Sequence, residues 1–493
     1  MLSIFFLLAA LLALNSIANG IWNLYFHPLK HVPGPKVWIA FPLFRYISAI
    51  RGRLDIDMRH YHSVYGDVVR FSPCEVSFIT AQAWKEIYGH GHEQMPKALA
   101  SAQGTMNIIS ANDADHSRFR KSLSHAFSAK GLRAQEPILA GYIDALIRRM
   151  GGFADSCDPI DMVKLYNLTT FDIIGDLAFG ESFGGLQSAQ YHHRVSSIFQ
   201  SVKVLSFIHL KDNFPLFYFA LSPFLPRQLK SSREKQQLYT GKTVRRRLSH
   251  HGERRHGDFI DSMLQQRGNK DGLSEIEIES NSRILVLAGS DTTASLLSGL
   301  TYWLLRTPQA MNKATTEVRS MMVSETDITF ANVTAKLPYL LACINEGFRM
   351  YPPVPGGLQR ITPSRMLEIS EHQIPPHTRV SVHQSAAYWS ANNFHLPECF
   401  LPERWMPDVK RDPTSPFFYD NRDVLQPFSV GPRNCLGKNL ALNEIRVILA
   451  RVLWNFDMKL CKDSEDWTEQ SSYNLIWERP PLKCELRRRT DRI

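Results

Sequence analysis

The chain has 493 residues, enough for two or three ordinary domains or one large one, and at 44% hydrophobic and 21% charged residues it is globular material with ample core. Its net charge of +10 would suit nucleic acid, an anionic membrane or an acidic protein partner. There is no zinc-finger spacing, no RNP-like strand and no aromatic–basic interleaving, which argues against nucleic acid.

From Met1 to Leu29 there is no Asp, Glu, Lys or Arg. Leu2 to Leu14 is almost wholly apolar, and the run resumes from Ile17 to Phe26. A spanning helix needs about 20 apolar residues, and roughly 25 stand here. A cleaved secretory signal is a second reading, with small Ser16 and Ala18 before a cut site, and a buried core helix a third. A membrane anchor over 1–26 is preferred, because Trp22 and Tyr25 suit the headgroup layer. Lys30, His31 and Lys36 follow it, which puts the body in the cytoplasm by the positive-inside rule. Residues 27–36 hold Pro28, Pro33 and Pro35, which fix φ and remove donors, so they read as a stiff linker to a body over 37–493.

Within the body, Val68-Val-Arg-Phe71 and Val76-Ser-Phe-Ile79 predict a hairpin in a small sheet. Residues 116–150 and 160–180 are helical in period, with Gly151-Gly152 between them. Residues 196–226, rich in Phe, Leu and Pro, read as a surface that dips into lipid. Residues 227–258 are basic and polar, and 265–275 read as a loop. Asn281 to Arg306 is an apolar helix interrupted by Ala288-Gly289-Ser290-Asp291-Thr292-Thr293. A glycine there costs about 1 kcal/mol against alanine, and a carboxylate with two hydroxyls adds a burial cost unless paired. Rules broken in a core helix point to function. Glu346 and Arg349 stand three apart on one helix face, followed by Pro402-Glu403-Arg404-Trp405. The seven cysteines include no C-x-x-C pair, so neither a disulfide framework nor a zinc site is indicated, and a reducing compartment is.

Near the C-terminus the chain reads Phe428-Ser-Val-Gly431-Pro-Arg433-Asn-Cys435-Leu-Gly437. A metal-ligating thiolate needs positive potential and N–H donors. Gly437 clears a way for backbone N–H groups, and an apolar helix after it would aim its N-terminus at the sulfur. Arg433 is placed to pair with a carboxylate beside the same metal.

This pattern, Phe-x-x-Gly-x-Arg-x-Cys-x-Gly, resembles the heme-binding loop of cytochromes P-450. Tyr25-Phe-His-Pro-Leu29 with Val32-Pro-Gly-Pro35 resembles the start of membrane-bound members from filamentous fungi. The resemblance covers residues 22 to about 480, with its motifs in the family's order, and implies a mainly α fold with a minor β-sheet part. It implies heme b (iron protoporphyrin IX) with Cys435 as axial iron ligand and Phe428, Gly437 and Gly289 around the cofactor. By the same likeness Gly289 opens a groove for dioxygen, and Asp291 and Thr292 form an acid–alcohol proton relay. Arg120, Arg433 and Arg360 would meet the heme propionates; His116 stands where many members have Trp. Glu346, Arg349 and Arg404 would form a buried triad that locks the fold.

The implied reaction is insertion of one oxygen atom of dioxygen into a C–H or C=C bond of a hydrophobic small molecule, a secondary-metabolite intermediate such as a terpenoid, polyketide or alkaloid. The chain has no Gly-x-Gly-x-x-Gly fingerprint and no P-loop, so NADPH acts through a membrane-bound NADPH–cytochrome P-450 reductase. A basic surface of Lys121, Arg133, Lys438 and Arg446 would receive it. The expected location is the endoplasmic reticulum membrane, single-pass. The alternatives are a heme-thiolate isomerase or dehydratase acting without dioxygen, and a non-catalytic heme-binding protein.

Overall fold

The computed structural model describes residues 2–98, 107–188, 214, 244, 246–247, 258–264, 272–474 and 476–489. The lipid-dipping segment expected at 196–226 lies, apart from Phe214, outside the described residues. So does most of the basic stretch 227–258.

Seven of the helices carry the argument: α1 (Leu2–Tyr25), α2 (Asp113–Ser124), α3 (Ala129–Ser156), α4 (Met162–Phe179), α5 (Glu275–Arg306), α6 (Pro338–Met350) and α7 (Lys438–Asn455). Helix α5 starts six residues earlier than Asn281, because Ser274 and Glu277 form a capping box. Glu277 reaches back to the Ser274 N–H at 2.8 Å, satisfying an otherwise orphaned donor. This helix is long and apolar enough to cross a bilayer, yet 67% of its apolar window is buried in the protein, so it is a core helix. Helix α4 lies along it and is buried on nearly every face.

The expected helix break at Gly151-Gly152 is not there. Both glycines sit inside α3, and the break falls at Cys157, which adopts a left-handed φ of 57°. A Cβ at Gly151 would come within 2.4 Å of the Arg488 guanidinium, so the glycine serves packing against the C-terminal strand. A second break separates α2 from α3, where Ser128 caps the new helix by accepting from Gly131 N.

The minor sheet is as the sequence suggests. Val68–Ser72 pairs antiparallel with Glu75–Phe78, which pairs parallel with Arg379–Val382, which in turn pairs antiparallel with Arg360–Ile361. The proline-rich segment is not a free spacer. Leu29 and Val32 are buried, and Pro33 O accepts from Arg70 N at 2.8 Å. Arg70 also reaches back to the end of α1, bonding Asn23 O at 2.9 Å. Apolar burial at two linker positions thus docks the segment onto the sheet.

Glu346, Arg349 and Arg404 meet with no exposed surface on any of the three. Arg349 donates to both Glu346 oxygens at 2.8 and 3.0 Å, and Arg404 Nε to Oε1 at 3.2 Å. Trp405 Nε1 and Leu401 N complete the carboxylate's shell at 2.7 and 2.9 Å. Burial alone would push Glu346 up, but Arg349 and Arg404 hold it below the usual glutamate value. Gly347 on the same helix lets α5 approach, since its Cβ would lie 3.0 Å from Leu300.

Candidate functional site

The loop before α7 is shaped by backbone constraints. Cys435 N donates to Phe428 O at 2.8 Å, closing the turn. Gly431 has φ of 76°, and a Cβ there would stand 1.7 Å from Tyr88 O, so only glycine fits. Phe428 packs edge-on against Phe348 of α6, and Lys438 lies 5.9 Å from the same ring centroid. Cys435 ends this loop exposed, at the N-terminus of α7. Packed surroundings push its thiol up, while the Gly437 N–H, Arg120 and Lys438 pull it down. The expected steric reason for Gly437 does not hold. Its Cβ would make ordinary contacts at 3.8 Å to Phe127 and 4.0 Å to Cys435 Sγ.

Four basic side chains converge near this loop. Arg433 Nη2 donates to Ala111 O at 2.8 Å and to Asp113 at 2.6 Å, while Nη1 is buried without a partner. Arg360 is buried, lies 5.2 Å from the Tyr88 ring centroid, and leaves Nε unpartnered. Arg120 does not stand free for a propionate as expected: it bonds Asn434 O at 2.8 Å and Asn434 Oδ1 at 2.6 Å. The fourth is Lys97, which sequence reasoning missed. Burial, with Arg360 and Arg433 nearby, pulls its ammonium down to about 7. His116 is buried, and burial with Arg433, Lys97 and Arg120 lowers it to about 4, so it is neutral. A cavity of about 530 Å³ opens alongside, lined by His116, Ser117, Arg120 and Arg433. Among the described residues only the largely exposed Asp113 carboxylate balances this positive charge, so the cluster is built for an anion.

On α5 the three polar side chains face different ways. Thr292 is half-buried and donates to Ala288 O at 2.7 Å. Thr293 is buried toward α7, beside Glu444. Asp291 is 2% exposed and ion-paired to Arg479. Gly289 does not open a groove through its missing side chain. That direction is filled by Ile174 of α4, 2.7 Å from where a Cβ would be, so the glycine lets the two helices approach.

Glu444 is the second residue sequence reasoning missed, although a signal existed. It stands between Leu440 and Ile448 at i, i+4 spacing, a carboxylate on the apolar face of α7. Burial pushes it up to about 8, with Thr293 opposing. An unfolded glutamate ionises at about 4.3. From there to about pH 8 the unfolded chain loses a proton that the folded chain keeps, so stability falls as pH rises through this window. Glu444→Gln should remove that slope, and its Tm should overtake the wild type on the alkaline side. A Tm difference that stays constant from about pH 5 to about pH 8 would contradict this.

The family profile described as cytochrome P-450 matches residues 32–486. The chain belongs to the cytochrome P-450 family. It is 53% identical over 489 residues to the cytochrome P-450 monooxygenase olcB of Penicillium canescens, covering 99% of both chains. It is 52% identical over 467 residues to a trichothecene C-4 hydroxylase of Trichoderma arundinaceum, covering 94% of this chain and 93% of that one. An averantin hydroxylase of Dothistroma septosporum is 38% identical over 485 residues, 97% and 90% of the two chains. This P-450 monooxygenase therefore uses heme b, and P-450 catalysis requires a redox partner and a small-molecule substrate. The residues fit that cofactor: an exposed thiol with N–H and cationic neighbours, and unpartnered guanidinium nitrogens on Arg433 and Arg360 suited to two propionates.

Proposed function

We propose that this P-450 hydroxylates a hydrophobic polycyclic small molecule of fungal secondary metabolism, with electrons from NADPH passed through a reductase. Two relatives named as hydroxylases, for a trichothecene and for averantin, support a carbon skeleton of this kind. What carries the monooxygenase reading is the presence in one chain of an exposed Cys435 and of Thr292, a hydroxyl left half-exposed on an otherwise buried stretch of α5.

Bound heme b supplies the transfer of one oxygen atom from dioxygen to a C–H bond, the other atom leaving as water. Cys435 would ligate the iron, and Gly437 N–H, Arg120 and Lys438 favour its thiolate. Arg433, Arg360 and Lys97 would hold the propionates, with neutral His116 beside them. Arg120 acts through Asn434, fixing the loop that carries the cysteine. Thr292 holds a proton at Oγ, and Asp291 replenishes it. Glu346, Arg349 and Arg404 keep the elements around the loop in register.

Helix α1 anchors the protein in the endoplasmic reticulum membrane as a single pass, with the body cytoplasmic. Leu7, Leu11, Leu12, Trp22 and Tyr25 all turn more than half their surface outward, as lipid contact requires. The division is then an anchor over 1–26, a docked connector over 27–36 and a heme domain over 37–493. Lys121, Arg133 and Lys438 are exposed and suit an acidic reductase surface. Arg446 does not join them, since it is partly buried and bonds Thr334 at 3.3 Å.

The test offers polycyclic terpenoids and aromatic polyketides to membranes holding the full chain, a reductase and NADPH, and looks for products heavier by one oxygen. Thr292→Ala should leave the spectrum of the reduced, carbon monoxide-bound protein unchanged while cutting product per NADPH by about tenfold or more. A heme-thiolate isomerase would consume no NADPH and would be indifferent to the substitution. Unchanged coupling in Thr292→Ala would overturn the relay.

A further inference from the structure

Tyr88, which ends the helix Ala81–Tyr88, touches three parts of the site. Its carbonyl oxygen lies against Gly431 of the cysteine loop, 1.7 Å from where a Cβ would be. Its ring centroid stands 5.2 Å from the Arg360 guanidinium carbon. Its hydroxyl donates to Leu358 O at 2.8 Å. The residue is buried, so packing fixes all three contacts. Burial also pushes the phenol up to about 12, with Arg360 opposing, so it stays protonated at neutral pH.

The hydroxyl stands inside the sheet ladder. Arg360–Ile361 pairs antiparallel with Arg379–Val382, and the Gly357–His383 bridge keeps the same register, so Leu358 lies opposite Val382. In this register Thr362 N donates to Thr378 O at 2.9 Å, a hydrogen-bonded pair. Such pairs recur at every second position, which makes Leu358 and Val382 one of them. There the Tyr88 oxygen is interposed, accepting from Val382 N at 3.1 Å while donating to Leu358 O. Two bonds in series span more than one direct bond of about 2.9 Å, so Leu358 is held off its partner strand. Residues two apart on a strand share a face, so Leu358 points the way Arg360 does. It keeps 36% of its surface open there, whereas Val382 opposite is fully buried.

We propose that Tyr88 is a positioning residue with two separable parts: its hydroxyl wedges Leu358 outward as an apolar contact for the substrate, and its ring steadies Arg360 against a heme propionate. This rests on the assignment of Arg360 to a propionate given above. Tyr88 carries no proton or electron and acts only through the two side chains it places. An aromatic face attracts a guanidinium, so the ring keeps the Arg360 charge on the cofactor side of the strand. Positive charge beside a heme favours its reduced form, so loss of the ring lowers the midpoint potential. Loss of the hydroxyl alone lets Leu358 and Val382 close into a direct pair and withdraws the leucine.

Two probes that bind heme iron, imidazole and the larger 1-phenylimidazole, read the wedge by their optical shifts on the full-length, heme-loaded protein. In Tyr88→Phe the Kd for 1-phenylimidazole should change several-fold, while the Kd for imidazole and the midpoint potential keep their wild-type values. In a Leu358→Ala background, Tyr88→Phe should alter neither Kd. Equal 1-phenylimidazole affinities in wild type and Tyr88→Phe would overturn the wedge. Redox titration reads the ring. Tyr88→Leu should shift the midpoint potential to more negative values and speed heme loss several-fold, and Tyr88→Phe, which keeps the ring, should match the wild type in both. If Arg360→Gln leaves the midpoint potential unchanged, the propionate assignment fails, and the role of the ring with it. If Arg360→Gln lowers the potential and Tyr88→Leu does not, only the role of the ring is overturned. Should Tyr88→Leu fail to take up heme, Tyr88→Met, which fills similar space without an aromatic face, carries the redox titration with the same expectation, and a wild-type potential in it would overturn the role of the ring.

Discussion

Cys435→Ala is expected to abolish the strongly red-shifted Soret band of the reduced, carbon monoxide-bound protein, together with all NADPH-dependent product. The reason is chemical and local. Under the proposed assignment, the Cys435 thiolate is the group that would push electron density onto the heme iron. The loop itself should survive, because its shape depends on the Cys435 backbone N–H bond to Phe428 O and on Gly431, and neither uses the thiol. The exposed side chain adds little burial, so the unfolding free energy of the heme-free protein should move by less than about 1 kcal/mol. Circular dichroism during denaturation checks the second half of the expectation and absorption checks the first. Retention of the red-shifted band in this variant would overturn the ligand assignment.

Glu346→Ala is expected to do the opposite, destroying the fold before any chemistry can be measured. The substitution leaves Arg349 and Arg404 fully buried and takes away the carboxylate they share. It also strands Trp405 Nε1 and Leu401 N, which bond the same oxygens. Removing one partner of a buried pair costs about 3–5 kcal/mol, and here two cations lose their counter-charge together. Set against a total stability of about 5–15 kcal/mol, the loss should leave little folded, heme-loaded protein. Glu346→Gln keeps the shape and one acceptor, so it should retain partial heme incorporation. Equal yield of heme-loaded protein from wild type and Glu346→Ala would show that the triad does not hold the fold. The Arg349 and Arg404 pairing also implies acid sensitivity. Glu346 is held below its unfolded value, so this stability is present above the unfolded pKa and is lost as pH falls toward the folded one.

The elements most legible in the sequence were those whose signals are local. The hairpin at 68–78 announced itself by two β-rich runs around Ser72-Pro73, and the cysteine loop by fixed identities at fixed spacing. Two boundaries were misread for physical reasons. Gly151-Gly152 carries a breaker's composition, but the close approach of Arg488 gives the glycines a use inside α3. The start of α5 was hidden because Glu275-Ile-Glu-Ile-Glu279 reads as a polar surface, although Ser274 with Glu277 is a capping signature. The docked connector was missed because proline stiffness says nothing about what a rigid segment lies against. Leu29 and Val32 were the apolar residues that could have shown it.

The signs of the proposed chemistry were carried by the chain itself. A thiol flanked by glycines and cations, and an acid–alcohol pair in an apolar helix, are patterns of residue type and spacing that hold before folding. Tertiary structure alone decided the partners of the buried charges. Arg360 and Lys97 come together across distant parts of the chain around Arg433, Arg120 is spent on Asn434, and Asp291 is claimed by Arg479 from 188 residues away. No local pattern encodes such pairings. A buried charge takes whichever counter-charge or donor the packed core brings within reach, and only the completed fold sets that distance.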